Sequence, residues 1–294
     1  MNFILTTQCL SKCKFCFVPA GLRAKQNEMS FSDFKNYLGH INLFYGKNKP
    51  AIGILGGEPT LAKDFPIIAG YLKSYKSIVR VYSNLITDTN NIQYLIGAKN
   101  IILVWNAGAF SIADKKTQNL ILKNLALIKK SFKDNIIASI TLYPDFKIKD
   151  FDGIIKIFKK YKIKKIRVAL DSTHHKKFLG KGGEVFDFCQ YLADNKFEII
   201  SSYCGHFLKG MFNAKQEKYL KQNVVNFNYN DCSKKFPADI FPDGSIVPCM
   251  AFANKTGLVK FTDCKSLKKL KTEIIKTFQL NKIKKNRCMA NDDK

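Results

Sequence analysis

Along the first two-thirds of the chain, short apolar runs alternate with longer stretches whose apolar positions recur at helical spacing. The runs at residues 2–7, 51–55, 78–82, 101–105, 136–142 and 165–170 are rich in Ile, Val and Leu, as buried strands are. Between them, residues 31–45, 65–76, 88–97, 117–132, 151–161 and 184–194 carry the i, i+3, i+4 periodicity of amphipathic helices, with Ser30 or Ser32 placed to cap the first. Six strand–helix units joined by short connections predict a parallel sheet covered by helices. Right-handed crossovers curl such a sheet into a barrel or part of one. The fold class is therefore α/β, a partial (β/α)6 TIM-type barrel over residues 1–195. Residues 196–294 form a small second module, where the alternation gives way to strand-like and turn-like pieces and a helix at 267–278. Barrels of this kind carry their chemistry at the C-terminal ends of the strands. Here those ends hold Cys9, Gly56, Gly57, Glu58, Ser83, Asn84, Asn106, Thr141 and Asp171.

Composition changes this picture little, and charge changes it more. With 294 residues, 46% of them hydrophobic, the chain can bury a full core without disulfides. Its 49 Lys and Arg stand against 23 Asp and Glu, a formal net charge of +26. One reading is an anionic partner, an RNA or an acidic peptide. The other is a genome favouring A/T-rich codons, since Lys, Ile, Asn, Phe and Tyr are all abundant. Arg, the residue of bidentate base contacts, is scarce, so nucleic acid is the weaker candidate partner. The opening "MNFILTTQCLSKC" lacks the basic region and the long apolar stretch of a secretion signal, and no window approaches a membrane span. The expectation is a cytoplasmic chain without membrane contact. In that reducing compartment its nine cysteines point to metal or catalysis rather than disulfides.

Three of these cysteines, Cys9, Cys13 and Cys16, lie in "CLSKCKFC" immediately after the first strand. Three thiolates on one tight loop can hold three corners of a cubane cluster and leave the fourth iron open. A zinc knuckle would need a fourth ligand at similar spacing, and the nearest His, His40, falls inside a predicted helix. A C-x3-C-x-aromatic-C motif with Phe15 as the aromatic, followed by a second strand that ends in Gly-Gly-Glu-Pro, resembles the radical S-adenosylmethionine superfamily over residues 2–170.

That resemblance implies a [4Fe–4S] cluster on Cys9, Cys13 and Cys16, with S-adenosylmethionine bound to its open iron. It implies one-electron cleavage of S-adenosylmethionine, hydrogen abstraction by the 5′-deoxyadenosyl radical, and an external electron donor such as flavodoxin or ferredoxin. Gly56, Gly57 and Glu58 match the turn that contacts the cofactor's amino group, with Glu58 offering an acceptor to the ammonium. Ser83 and Asn84 match a third-strand cofactor segment, in which Leu85 stands where Gly is usual. Thr141 and Arg167 resemble later-strand residues that approach the ribose or carboxylate. His174 and His175, near a strand end, read as solvent-exposed, and Cys189 as core.

A second set of cysteines follows. Cys232 and Cys249 flank "PDG", a strong turn signal, in a Cys-x11-Gly-x4-Cys arrangement. The segment resembles the first half of the SPASM and twitch modules that hold auxiliary clusters, shortened by loss of the late cysteine run. The resemblance implies a second [4Fe–4S] cluster on Cys232 and Cys249, with Cys288 the next ligand and Cys204 and Cys264 competing for a fourth place that could stay open; the alternative for the module is zinc or no metal. The function it favours is hydrogen abstraction from a ribosomally made peptide undergoing maturation. A small-molecule radical dehydrogenase or a cofactor-biosynthesis enzyme is the alternative. RNA modification and a non-catalytic iron–sulfur or zinc RNA-binding protein are weaker ones.

Overall fold

The computed structural model describes residues 1–16, 18, 20–132, 135–171, 174, 177–178, 180–201, 211–227, 238–248 and 259–282. The chain runs β1 (Asn2–Ile4), α1 (Ala20–Lys25), α2 (Phe31–Tyr45), β2 (Ile52–Leu55), α3 (Phe65–Leu72), β3 (Val79–Ser83), α4 (Thr89–Gln93), β4 (Ile101–Asn106), α5 (Gly108–Ser111) and α6 (Lys115–Phe132). It continues with β5 (Ile136–Leu142), α7 (Asp152–Lys160), β6 (Lys165–Leu170), α8 (Gly182–Asp194), β7 (Glu198–Ser201), α9 (Ala214–Asn223), β8 (Val224–Val225), β9 (Asp239–Ile240), β10 (Ile246–Val247) and α10 (Cys264–Lys282).

All ten described strands join one sheet in the order β10-β9-β1-β2-β3-β4-β5-β6-β7-β8. Neighbours are parallel from β9 through to β8, and the β9–β10 pair is antiparallel. The sheet is open, with β8 and β10 at its edges, so the architecture is the partial barrel that the alternation predicts. Each inner strand is covered on its outer face by an amphipathic helix. In α2, Phe34, Tyr37, Leu38 and Ile41 form the buried stripe, and Ser30 caps the helix by accepting from the Asp33 amide at 3.1 Å. Cys189 in α8 is fully buried, as expected of a core residue. Among the described residues no helix is long and apolar enough to cross a membrane.

The structure differs from the pattern reading in its shortest pieces. β1 ends at Ile4 rather than Thr7, because Thr6 leaves the sheet to bridge Glu28. β7 and β8 extend the sheet beyond the six expected strands, and the β9–β10 hairpin pairs with β1. The two-residue strands β8, β9 and β10 are too short for a period of two to register, and the four-residue β7 offers only Ile199 and Ile200 as an apolar run. The β9 pairing is secured by Asn2, whose Nδ2 donates to the buried Asp239 Oδ1 at 2.6 Å.

Candidate active site

At the C-terminal ends of β1–β6 lies a cavity of about 330 Å³. Its lining gathers Cys9, Cys13 and Cys16 with Gly56, Gly57, Ser83, Asn84, Thr141 and Arg167, residues spread over more than half the sequence. One architecture thus brings together nearly every residue that the sequence singled out on the first six strands.

The cysteine loop is organised by short contacts. The Ser11 amide donates to Cys9 Sγ at 3.4 Å, Ser11 Oγ lies 3.1 Å from Cys13 Sγ, and the Cys16 amide donates to the Cys13 carbonyl at 3.2 Å. Burial pushes the Cys9 thiol up to about 11, with the Ser11 amide opposing, and burial likewise raises Cys13. Burial therefore favours the thiol form of both, and a bound metal would displace the proton. Among the described residues no group of three His, Cys, Asp or Glu side chains is arranged to share a single ion. The thiols of a cubane each bind a different iron, so they need no common point. Three thiols around one end of one cavity fit that requirement.

The Gly-Gly-Glu turn is locked to the same loop. The Gly57 amide donates to the Thr6 carbonyl and the Glu58 amide to the Gln8 carbonyl, each at 2.7 Å. A Cβ at Gly56 would strike the Thr6 carbonyl, and one at Gly57 the Gln8 carbonyl. Glycine is required here by close approach of two backbones.

Glu58 itself is fully buried and does not line the cavity. Its Oε1 accepts from Thr60 Oγ1 at 2.6 Å, Ser83 Oγ at 2.9 Å and the Thr60 amide at 3.3 Å, while Oε2 accepts from the Asn84 amide at 2.7 Å. Burial pushes the carboxyl up, and these bonds pull it back. The carboxylate thus ties the end of β2 to the end of β3. Asn84 carries the tie onward, its Nδ2 donating to Cys9 Sγ at 3.3 Å.

Leu85 adopts a left-handed backbone, φ 63°, and is fully buried. The buried Asn124 of α6 holds this segment by donating to the Leu85 and Thr87 carbonyls at 3.0 and 2.9 Å. The conformation explains why Gly is usual at this position in the enzymes it resembles. The left-handed region costs an L-residue about 1–2 kcal/mol, whereas deleting a buried Leu side chain costs about 2–5 kcal/mol. Leu85→Gly is therefore expected to destabilise the fold by about 1–3 kcal/mol net. A thermal melt checks this, and an unchanged or raised midpoint would contradict it.

On the opposite wall, Arg167 is half-buried. It donates from Nη1 to Ser139 Oγ at 2.8 Å, and its guanidinium lies 5.6 Å from the Tyr82 ring centroid. Ser139, Tyr82 and Ser11 were not singled out in the sequence. Strand alternation contains the signal for the first, since Ser139 and Thr141 share a face of β5 and Ser139 is in register with Arg167. Asp171 lines the cavity, nearly buried, with His174 Nδ1 2.7 Å from its Oδ2. His174 is thus partly exposed, as read, but tethered to a cavity residue. His175 lies outside the described residues.

Among the second set of cysteines, Cys204, Cys232, Cys249 and Cys288 lie outside the described residues. Cys264 opens α10, away from the cavity lining, and its thiol donates to the His40 carbonyl of α2 at 3.4 Å.

Comparison with known proteins is consistent with this geometry. The family model for the radical SAM superfamily matches residues 3–158. A search of curated proteins returns no match. Among solved structures, Streptococcus suis SuiB bound to precursor peptide SuiA is similar with a TM-score of 0.68 at 17% identity, over 93% of this chain and 64% of that one. Native anSMEcpe with bound AdoMet gives a TM-score of 0.64 at 17% identity, over 94% of this chain and 83% of that one. At such identities the likeness shows a shared fold, and this chain spans less than two-thirds of the SuiB structure. With the family model covering more than half its length and its motif residues assembled at one cavity, the chain is an enzyme of the radical SAM superfamily.

Proposed function

We propose that this enzyme reductively cleaves S-adenosylmethionine at the cavity and abstracts hydrogen from a ribosomally made peptide. The observation that carries the first half is the assembly of three thiols, a glycine–glycine turn and a guanidinium around one cavity. Cys9, Cys13 and Cys16 would hold the [4Fe–4S] cluster of this superfamily. When bound, the cluster and S-adenosylmethionine supply one-electron cleavage to a 5′-deoxyadenosyl radical. Ser11 and Asn84 orient the Cys9 and Cys13 sulfurs. The backbone of Gly56 and Gly57 offers close approach to the cofactor's amino group. Arg167, held by Ser139 and stacked near Tyr82, presents positive charge to an anionic group, and Thr141 adds a hydroxyl, while the Ser83 hydroxyl is committed to Glu58.

The peptide substrate is supported by the likeness to SuiB, whose structure contains a precursor peptide, and by the excess of positive charge. Anaerobic incubation with S-adenosylmethionine and a flavodoxin or ferredoxin donor should yield 5′-deoxyadenosine. A precursor peptide encoded beside this chain should then be consumed, and turnover of small molecules with no effect on such a peptide would overturn the peptide reading.

A second cluster in residues 196–294, ligated in part by Cys232 and Cys249, belongs to the same proposal. Its support is the hairpin spacing of those two cysteines. Fully reconstituted protein should hold about eight iron atoms, and the Cys232→Ser/Cys249→Ser variant about four. Equal iron in parent and variant, or zinc in that segment, would contradict it. Cys264 is engaged with His40 as described, so Cys204 and Cys288 are the better candidates to complete the set.

A further inference from the structure

We propose that the lower edge of the sheet at β5 and β6, at the end opposite the cavity, docks an acidic segment of the substrate peptide. The proposal rests on the peptide reading above. Three pieces of chain meet there. Lys129 Nζ donates to the Lys162 carbonyl at 3.3 Å, joining the end of α6 to the turn before β6. Lys159 Nζ donates to Asn195 Oδ1 at 2.7 Å, joining the last turn of α7 to the end of α8. The surface so formed exposes Lys130, Lys159, Lys160, Lys162, Lys164 and Lys196. Among the described residues none of these six is in an ion pair. Asp194 and Glu198 are the acids beside them.

At the opposite rim lysines are mixed with acids: helices begin on or beside Asp88, Asp114 and Asp152, and Lys115 and Lys116 open α6. The helix dipole accounts for acids there, and for lysines in the last turns of α6 and α7. It does not account for Lys162, Lys164 and Lys196, which lie beyond the helix ends. Clustered, unpaired like charges destabilise a compact state, and a polyanionic ligand would relieve that cost.

The chemistry of the patch favours carboxylates over a nucleic acid. It carries no Arg for bidentate phosphate contacts. Tyr161 and Phe197 beside it are half-buried, the Tyr161 hydroxyl donates to the Leu122 carbonyl at 3.4 Å and Lys160 Nζ lies over its ring, so they offer no open stacking platform. An electron-donor protein is disfavoured by position. At about 3.3 Å per residue, Lys164 lies roughly 23 Å along β6 from the cavity residue Asp171. An extended peptide covers about 3.3–3.6 Å per residue. The acidic segment would therefore sit at least about seven residues from the position that reacts, and on the order of ten if it passes round the helix layer.

Fluorescence anisotropy with a labelled deca-glutamate peptide tests this without turnover, so its failure is distinguishable from failure of the peptide-modification reading. Parent protein should bind it in a salt-sensitive way. The Lys130→Glu/Lys160→Glu/Lys164→Glu variant should bind about tenfold or more weakly, while melting like the parent and still cleaving S-adenosylmethionine without peptide. The Lys265→Glu/Lys268→Glu/Lys271→Glu variant on α10, with the same change in net charge, should retain most of the affinity. Equal losses in the two variants would reduce the effect to overall charge and overturn the proposal. So would tighter binding of a deca-thymidylate oligonucleotide through the same three lysines, which would assign the edge to nucleic acid.

Discussion

Cys13→Ser and Cys16→Ser are each expected to abolish formation of 5′-deoxyadenosine, a loss of about a thousandfold or more against the parent in the same anaerobic assay. With three thiols on the loop, loss of one leaves two where a site-differentiated cubane needs three. A hydroxyl in the same environment has no thiolate to offer iron. Both cysteines are only partly buried, and Ser preserves their shape to within the oxygen–sulfur difference. The fold should therefore survive, and the variants should melt within a few degrees of parent apoprotein. A Cys13→Ser protein that forms 5′-deoxyadenosine at the parental rate would end the assignment of this loop.

Glu58→Ala is expected to be the most damaging single change to stability at the site. It would strip the acceptor from Ser83 Oγ, from Thr60 Oγ1 and from the Thr60 and Asn84 amides, all inside a protein interior. Breaking a buried charged network of this kind costs about 3–5 kcal/mol, a fall in melting temperature of roughly 10 °C. Glu58→Gln keeps the volume but turns one acceptor into a donor, at about 1–3 kcal/mol. Melting temperatures should therefore fall in the order parent, Gln, Ala. Cluster loading should weaken in both variants, because Asn84 loses its anchor and with it the contact to Cys9 Sγ. If Glu58→Ala melts like the parent yet loses affinity for S-adenosylmethionine, the carboxylate acts on the cofactor directly, as the motif resemblance implies, rather than as a tie between strands.

Glu58 also marks the limit of what the sequence discloses. Apolar runs of four to seven residues between periodic helices are a strong signal, so β2–β6 and their helices were legible, and with them the rim on which the site stands. Cys9, Cys13 and Cys16 were legible because their spacing lies within a single loop, and the two glycines because the Gly-Gly-Glu-Pro turn that holds them resembles the superfamily's. What Glu58 touches was not, because its partners arrive from β3, set by register rather than spacing. Arg167 and Ser139 are neighbours for the same reason. The two-residue strands β8, β9 and β10 leave no periodicity to read, and Asp239 discloses its pairing with Asn2 only once the sheet is assembled.

That last pairing bears on when the site comes into being. β1 carries the cysteine loop, and one of its two neighbours in the sheet is β9, whose residues are added more than two hundred positions later. During synthesis β1 therefore has a bare edge on the β9 side, and the loop that follows it is held only by residues 27–29, the turn after β2 and Asn84 after β3. Contacts so distant in sequence form late. Assembly of the iron site is thus tied to completion of the sheet, and thiols released early from the ribosome meet oxidants and stray metals before their scaffold is whole. If the loop holds a cluster, iron is therefore expected to load onto the completed sheet rather than onto the nascent chain, and in a variant that weakens the β1–β9 pairing, such as Asn2→Ala, iron content should fall.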